Sequence, residues 1–165
     1  MSDKSLSPDF EIREGTLSEI PTILTFIKEL AEYEKMSDDV VANEKLLKEH
    51  LFGEKKSAEV VIAYYQNKPV GFALYFYNFS TFLGRPGLYL EDLYVRKQMR
   101  GNGFGKALLK HLAKIATQKK CGRMEWAVLN WNEPSIQFYK SLGANPMNDW
   151  TVYRVTGNAL KELGS

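Results

Sequence analysis

Hydrophobic positions along this 165-residue chain switch repeatedly between a period of two and a period near 3.6. Phe10-Glu11-Ile12-Arg13 alternates as a short first strand. From Ile20 the spacing becomes helical, with Ile23, Leu24, Ile27, Leu30 and Ala31 on one stripe to about Tyr33, behind a Thr16–Glu19 capping-box spacing and a first-turn Pro21. A second helix is predicted over Val41–Phe52, closed by Gly53, and strands over Val60–Tyr65 and Val70–Phe76 flank the hairpin Gln66-Asn67-Lys68-Pro69. Asn78–Gly87 reads as a loop carrying Phe79 and Phe82, and Leu88–Val95 as a strand. A helical stripe through Leu108, Leu109, Leu112, Ile115 and Ala116 ends near Cys121-Gly122. Met124–Leu129 predicts a strand, Asn132 and Pro134 open a helix that stops at Gly143, Trp150–Val155 predicts a last strand, and Asn158–Leu163 a helical turn or two. This order predicts an α/β (α+β) class, a mixed sheet with helices on both faces.

The stretch Leu88–Lys106 organises the rest. Glu91 and Asp92 interrupt an otherwise apolar strand, and strict alternation would send one carboxylate to each side of the sheet, a costly placement without partners or a task. The strand runs into Arg100-Gly101-Asn102-Gly103-Phe104-Gly105 and then a helix. Free N–H groups of a first helical turn, the positive end of its dipole and the close approach that glycines allow make a seat for a phosphate. A dinucleotide fingerprint would need glycine at Lys106, and a P-loop would need glycine at Arg100 and Ser or Thr at Ala107, so both are excluded.

Length and a 44% hydrophobic content suit one domain over residues 10–165, with residues 1–9 expected to be disordered. Twenty-two basic against 20 acidic residues give a net charge of +2, too little to recruit nucleic acid or anionic lipid. The single Cys121 and the scattered His50 and His111 offer no disulfide and no metal spacing, so no metal is expected. Without an apolar run of signal-peptide or membrane-span length, a soluble cytoplasmic protein is expected.

The Arg-Gly-x-Gly-x-Gly loop resembles the pyrophosphate-binding loop of the GNAT family of N-acetyltransferases. Tyr89–Val95, that loop, Trp131-Asn132-Glu133-Pro134-Ser135 with Phe138-Tyr139-Lys140, and Leu30–Lys35 together resemble its diamine (spermidine/spermine) N-acetyltransferase branch, over Ile12–Val155. The resemblance implies a GNAT fold with a mostly antiparallel central sheet, acetyl-CoA as acetyl donor, a small di- or polyamine or diamino acid as acceptor, and a homodimer. Leu93, Tyr94 and Val95 would then meet the pantetheine arm, and Arg100, Gly101, Asn102, Gly103, Phe104, Gly105 and Lys106 the pyrophosphate, while Asn132, Ser135 and Tyr139 would lie along the cofactor. Tyr139 matches the general acid of the family, and Tyr33, Glu34, Glu91 and Asp92 match positions around the amine.

The chemistry itself asks for such groups. An alkyl ammonium of pKa about 10.4 is deprotonated about one part in a few thousand at pH 7, a penalty of roughly 4–5 kcal/mol before attack on a thioester. Glu91, directly or through a water, is the candidate acceptor, or else it only binds the cation; Tyr139 is the candidate donor to the departing thiolate. Where the polyamine branch carries a tryptophan this chain has Phe82, in a loop of altered spacing, which leaves the substrate open; enzymes of the branch it resembles also acetylate thialysine or other diamino acids, and a carboxylate-bearing substrate would want a cation such as Arg85 or Lys35. Two rivals remain open at this point: a lysine or N-terminal protein acetyltransferase, and a non-catalytic acyl-CoA-binding module.

Overall fold

A computed structural model describes residues 6–165. The chain divides into two compact units, one running to Ala127 and one over Val128–Ser165. The expectation of a disordered 1–9 falls partly outside the described residues; within them, the Phe10 N–H already bonds the Ser7 carbonyl at 3.0 Å.

The first unit is a five-stranded sheet in the order β1-β2-β3-β4-β5, made of β1 (Phe10–Glu14), β2 (Glu59–Tyr65), β3 (Lys68–Ser80), β4 (Arg85–Val95) and β5 (Arg123–Trp126). All neighbouring pairs are antiparallel except β4 with β5, which follows the crossover helix α3 (Phe104–Gln118). The two-residue turn between β2 and β3 has Gln66 at φ 50° and Asn67 at φ 59°, the left-handed pair that suits the twist of a tight hairpin.

Helix α1 (Ile20–Tyr33) packs on one face. Its Phe26 stacks on Phe72 of β3, centroids 5.5 Å apart, and lies 6.1 Å from Tyr94 of β4. Ile23, Ile62, Leu47 and Leu51 complete that core, the last two from α2 (Glu44–Phe52). Each fully buried side chain of this size contributes about 1.5–3 kcal/mol. On the opposite face α3 buries Leu108, Leu109 and Leu112, and Val95, one residue beyond Tyr94, reaches the first turn of α3 beside Gly105.

Several boundaries differ from the sequence reading. Helix α2 starts at Glu44 rather than Val41, because the Asn43 side chain accepts the Leu46 N–H at 3.0 Å and fixes the cap there, leaving Val41 exposed. The expected loop Asn78–Gly87 is mostly strand: β3 and β4 pair as far as Ser80 and Arg85, and only residues 81–84 turn. Strand β5 ends at Trp126, where its pairing with Leu90 ends.

In the second unit, helix α4 (Glu133–Ser141) begins where the Asn132 side chain accepts the Ser135 N–H at 3.4 Å. Helix α5 (Gly157–Leu163) covers the predicted final turns. Trp150–Val155 is not a strand; it has the β-branched and aromatic composition of one but forms no ladder among the described residues, and Trp150, Val152 and Tyr153 are exposed. Among the described residues no helix is long and apolar enough to cross a membrane.

Candidate active site

The two carboxylates sit at a break in the ladder. Leu74 of β3 pairs with Asp92, while the next residue, Tyr75, pairs with Leu90, so Glu91 is an extra residue in β4 and forms a β-bulge. A bulge resets alternation, so Asp92 does not share the face of Leu90 as strict alternation would have it. Leu88 and Leu90 share a face with Tyr77 and Tyr75, whereas Asp92 shares one with Leu74, which packs on the α1 core. Asp92 thus lies partly buried under the end of α1, where Glu34 follows the last helical residue.

The electrostatics agree with this placement. Burial raises Asp92 first, and the charges of Glu91 and Glu34 raise it further, to about 6. Burial also raises Glu34. Glu91 itself is exposed, and its charge acts on Tyr89 as well as on Asp92. Among the described residues no side chain hydrogen-bonds or ion-pairs with Asp92, so these three acids have no cation against Asp92.

Strand β5 pairs with β4 only from Gly87 to Leu90, so the Glu91–Val95 segment runs on without a strand on that side. The Tyr94 carbonyl points at β3, crowding the place a side chain on Gly71 would take, and the Arg96 N–H bonds Val70 of β3 at 2.9 Å. Alternation turns the main-chain groups of Leu93 and Val95 the other way, toward the open edge. Of the three residues expected along a pantetheine arm, Leu93 thus offers main-chain groups there and Val95 its N–H, since its carbonyl already accepts from Arg100 Nε at 2.9 Å, and Tyr94 offers none.

At the end of the strand the glycine loop has the form the sequence suggests. Gly101 (φ 80°) and Gly103 (φ 82°) are left-handed, and no atom lies within 4 Å of where a Cβ on Gly101 would stand. Gly103 caps α3, whose first ladder bond is Ala107 N–H to the Gly103 carbonyl at 2.9 Å; the N–H groups of Phe104 and Gly105 precede that ladder. A fifteen-residue helix directs its positive end here. The open cradle and forward-facing amides fit a pyrophosphate.

Not every loop side chain is available for that task. Phe104 is buried, stacked on Phe10 at 4.3 Å and tilted against Tyr65, so it can serve only through its main chain. The Asn102 amide donates to the Met99 carbonyl at 3.0 Å. Arg100 donates to the Val95 carbonyl at 2.9 Å and lays its guanidinium 4.5 Å above the Tyr33 ring. Sequence reasoning missed this Arg100–Tyr33 contact, and also the fork of Arg96 on Glu29; paired arginines and acids 67 residues apart leave no local spacing to read.

Within the second unit, Asn132 caps α4, Ser135 follows in its first turn, and Tyr139 stands beside Phe138 with ring centroids 5.5 Å apart. A cavity of about 510 Å³ lined by Arg85, Thr117, Lys119 and Lys120 lies at the far end of α3, about 20 Å from the glycine loop, and is no part of this arrangement.

The profile of the Acetyltransferase (GNAT) family matches residues 23–144. The chain belongs to this family. It is an acetyl-CoA-dependent amine N-acetyltransferase. It is 38% identical over 163 residues to the thialysine N-epsilon-acetyltransferase of Bos taurus, covering 92% of this chain and 95% of that one. It is 35% identical to the spermidine/spermine N(1)-acetyltransferase-like protein 1 of Homo sapiens, over 93% of this chain and 24% of that protein. Among solved structures, an integron cassette protein from the mobile metagenome of V. cholerae superposes with a TM-score of 0.80 at 31% identity, covering 96% of this chain and 99% of that one.

Proposed function

We propose that the acceptor is a small diamine or diamino acid of the thialysine or polyamine type, bound through its ammonium groups at Glu34, Glu91 and Asp92. The observation that carries this reading is the carboxylate group at the β4 bulge with no cation against Asp92. Two neighbouring carboxylates and partial burial disfavour the ionised Asp92, and a bound ammonium relieves both effects. Relatives named for thialysine and for spermidine/spermine, whose acceptors are small cations with two or more amines, support the same class.

When bound, acetyl-CoA supplies an acetyl carbon activated as a thioester. The amides of Gly101–Gly105 and the start of α3 would hold its pyrophosphate, with Lys106 alongside, and the edge groups of Leu93 and the Val95 N–H would take the pantetheine arm; by resemblance, Asn132 and Ser135 would also meet the cofactor. The Glu91–Asp92 pair receives the acceptor's ammonium and one of its members takes the proton. The Tyr139 hydroxyl would supply the proton that the departing thiolate needs. Of the cations considered for a substrate carboxylate, Lys35 directly follows Glu34, whereas Arg85 lies six residues from Glu91 along β4, about 20 Å away, and is dropped. A cytoplasmic homodimer belongs to this proposal on resemblance alone.

The test is an amine panel at fixed acetyl-CoA with release of free thiol as readout: thialysine, ornithine, lysine, spermidine, spermine and a lysine peptide. Turnover on the small diamines above that on the peptide is expected. Preference for the peptide, or no turnover on any amine, contradicts the proposal.

A further inference from the structure

We propose that the cavity at the far end of α3 is a second binding site, for a small polyphosphate anion, separate from the seat of acetyl-CoA.

Its walls come from two elements. Arg85 and Pro86 open β4, while Thr117, Lys119, Lys120 and Cys121 belong to the last turn of α3 and the residues after it; together they line about 510 Å³. The two walls are fastened through the main chain, the Gly122 N–H bonding the Pro86 carbonyl at 2.9 Å. The β3–β4 turn closes over the same glycine, where a Cβ would stand 2.8 Å from Leu83 Cδ1.

Arg85, Lys119 and Lys120 are all cations, and no acid lines the cavity. None of the three forms an ion pair among the described residues, whereas the neighbouring Arg123 is taken by Glu125 at 2.9 Å. Attraction to the negative end of a helix accounts for Lys119 and Lys120 but not for Arg85, which comes from the sheet. That helix end amounts to about half a charge, which three full positive charges outweigh. Its carbonyls are moreover engaged, those of Ile115, Ala116 and Thr117 accepting from the N–H groups of Lys119, Cys121 and Lys120 at 2.9–3.0 Å. Lys120 closes the helix at φ 57°, the left-handed place that glycine usually takes, so the chain keeps a cation there against the backbone preference.

The fork of an arginine and the point charges of two lysines suit adjacent phosphate groups, which bring several acceptor oxygens and several charges into a small volume. Beside the cations, Pro86, Cys121 and the methyl of Thr117 form an apolar stretch, the Thr117 hydroxyl being turned to the Ala113 carbonyl at 2.9 Å. Inorganic polyphosphate and a nucleoside triphosphate share the chemistry that the cations recognise, and only the second has a ring for the apolar stretch.

Cys121 is the single cysteine of the chain, so its alkylation reports on this cavity and not on the glycine loop. The full chain is treated with uncharged N-ethylmaleimide and followed by intact-mass spectrometry, alone and with tripolyphosphate, ATP or citrate, at one ionic strength set with NaCl. Tripolyphosphate and ATP at about 1 mM should each slow alkylation about fivefold or more. Equal protection by the two assigns a phosphate-only ligand and stronger protection by ATP a nucleotide; either result supports the proposal. Lys120→Gly, which suits the left-handed backbone and so keeps the fold, should raise the half-protecting concentration about tenfold or more, as should Lys119→Gln and Arg85→Gln. In all three variants KM for acetyl-CoA should stay within about twofold, because the glycine loop lies at the other end of α3. The proposal is overturned if neither polyphosphate protects the thiol, if citrate protects it as well as tripolyphosphate does, or if the three variants keep the original half-protecting concentration. A rise in KM for acetyl-CoA that accompanies the loss of protection overturns the separateness of the site.

Discussion

Arg96, the first residue past β4, forks onto Glu29 of α1, with its Nη2 3.0 Å and its Nε 3.1–3.2 Å from the carboxylate oxygens. The same guanidinium donates to the Pro69 carbonyl at 3.2 Å and lies 4.9 Å above the Phe26 ring. One side chain thereby fastens the helix that carries Tyr33 and Glu34 to the strand end from which the glycine loop departs.

Arg96→Lys keeps the charge but loses the fork and the ring contact. The expected cost is about 1–2 kcal/mol of stability, because the pair is only partly exposed. Urea unfolding monitored by fluorescence should show a lower midpoint with unchanged slope.

Gly103→Ala places a Cβ on a residue at φ 82°. Space is not the obstacle, since the nearest atom to that Cβ, Leu6 Cδ2, is 3.8 Å away; the strained backbone costs about 1–2 kcal/mol or shifts the cap of α3. The amides that open α3 then lose their alignment. KM for acetyl-CoA should rise about tenfold or more, with a smaller effect on KM for the amine, as initial rates at varied cofactor will show.

Asp92 links function to stability with a sign opposite to that of a salt-bridged acid. Its folded value, about 6, lies above the ordinary 3.8, so the folded state binds the proton more tightly than the unfolded chain does. Its contribution is therefore favourable below about pH 4 and is lost as pH rises from there through 6. At pH 7 the ionised carboxylate destabilises the fold by about 3 kcal/mol, and Asp92→Asn should raise Tm by about 6–12 °C, with no gain near pH 3.5. Differential scanning calorimetry at the two pH values reads both halves.

Tyr139→Phe removes one hydroxyl from α4 and keeps the ring beside Phe138. Turnover should fall by a factor of about 10²–10⁴ while acetyl-CoA affinity, measured by calorimetry, stays within about twofold. Unchanged turnover would remove Tyr139 from the mechanism.

The elements whose side chains repeat on one face were legible from the start. The stripes of α1 and α3, the alternating Gln66-Asn67 hairpin and the strand–glycine–helix junction stand in the sheet as read. What could not be read depends on partners distant in sequence. The bulge at Glu91 exists only in the register between β3 and β4, and it is the bulge that sets Asp92 apart from Glu91. Trp150–Val155 fails for the same reason in reverse, because strand composition makes no strand without a neighbour. Composition alone likewise could not show that Phe104, placed in a cofactor loop, spends its ring in the core against Phe10.

The central claim, acetyl transfer to a small di- or polyamine or diamino acid, is tested most directly by competition in one vessel. Thialysine, spermidine and a lysine peptide at equal concentration share limiting acetyl-CoA, and mass spectrometry counts each acetylated product at early times. The account predicts that thialysine and spermidine products together exceed the acetylated peptide at least tenfold; acetylated peptide as the main product would contradict it.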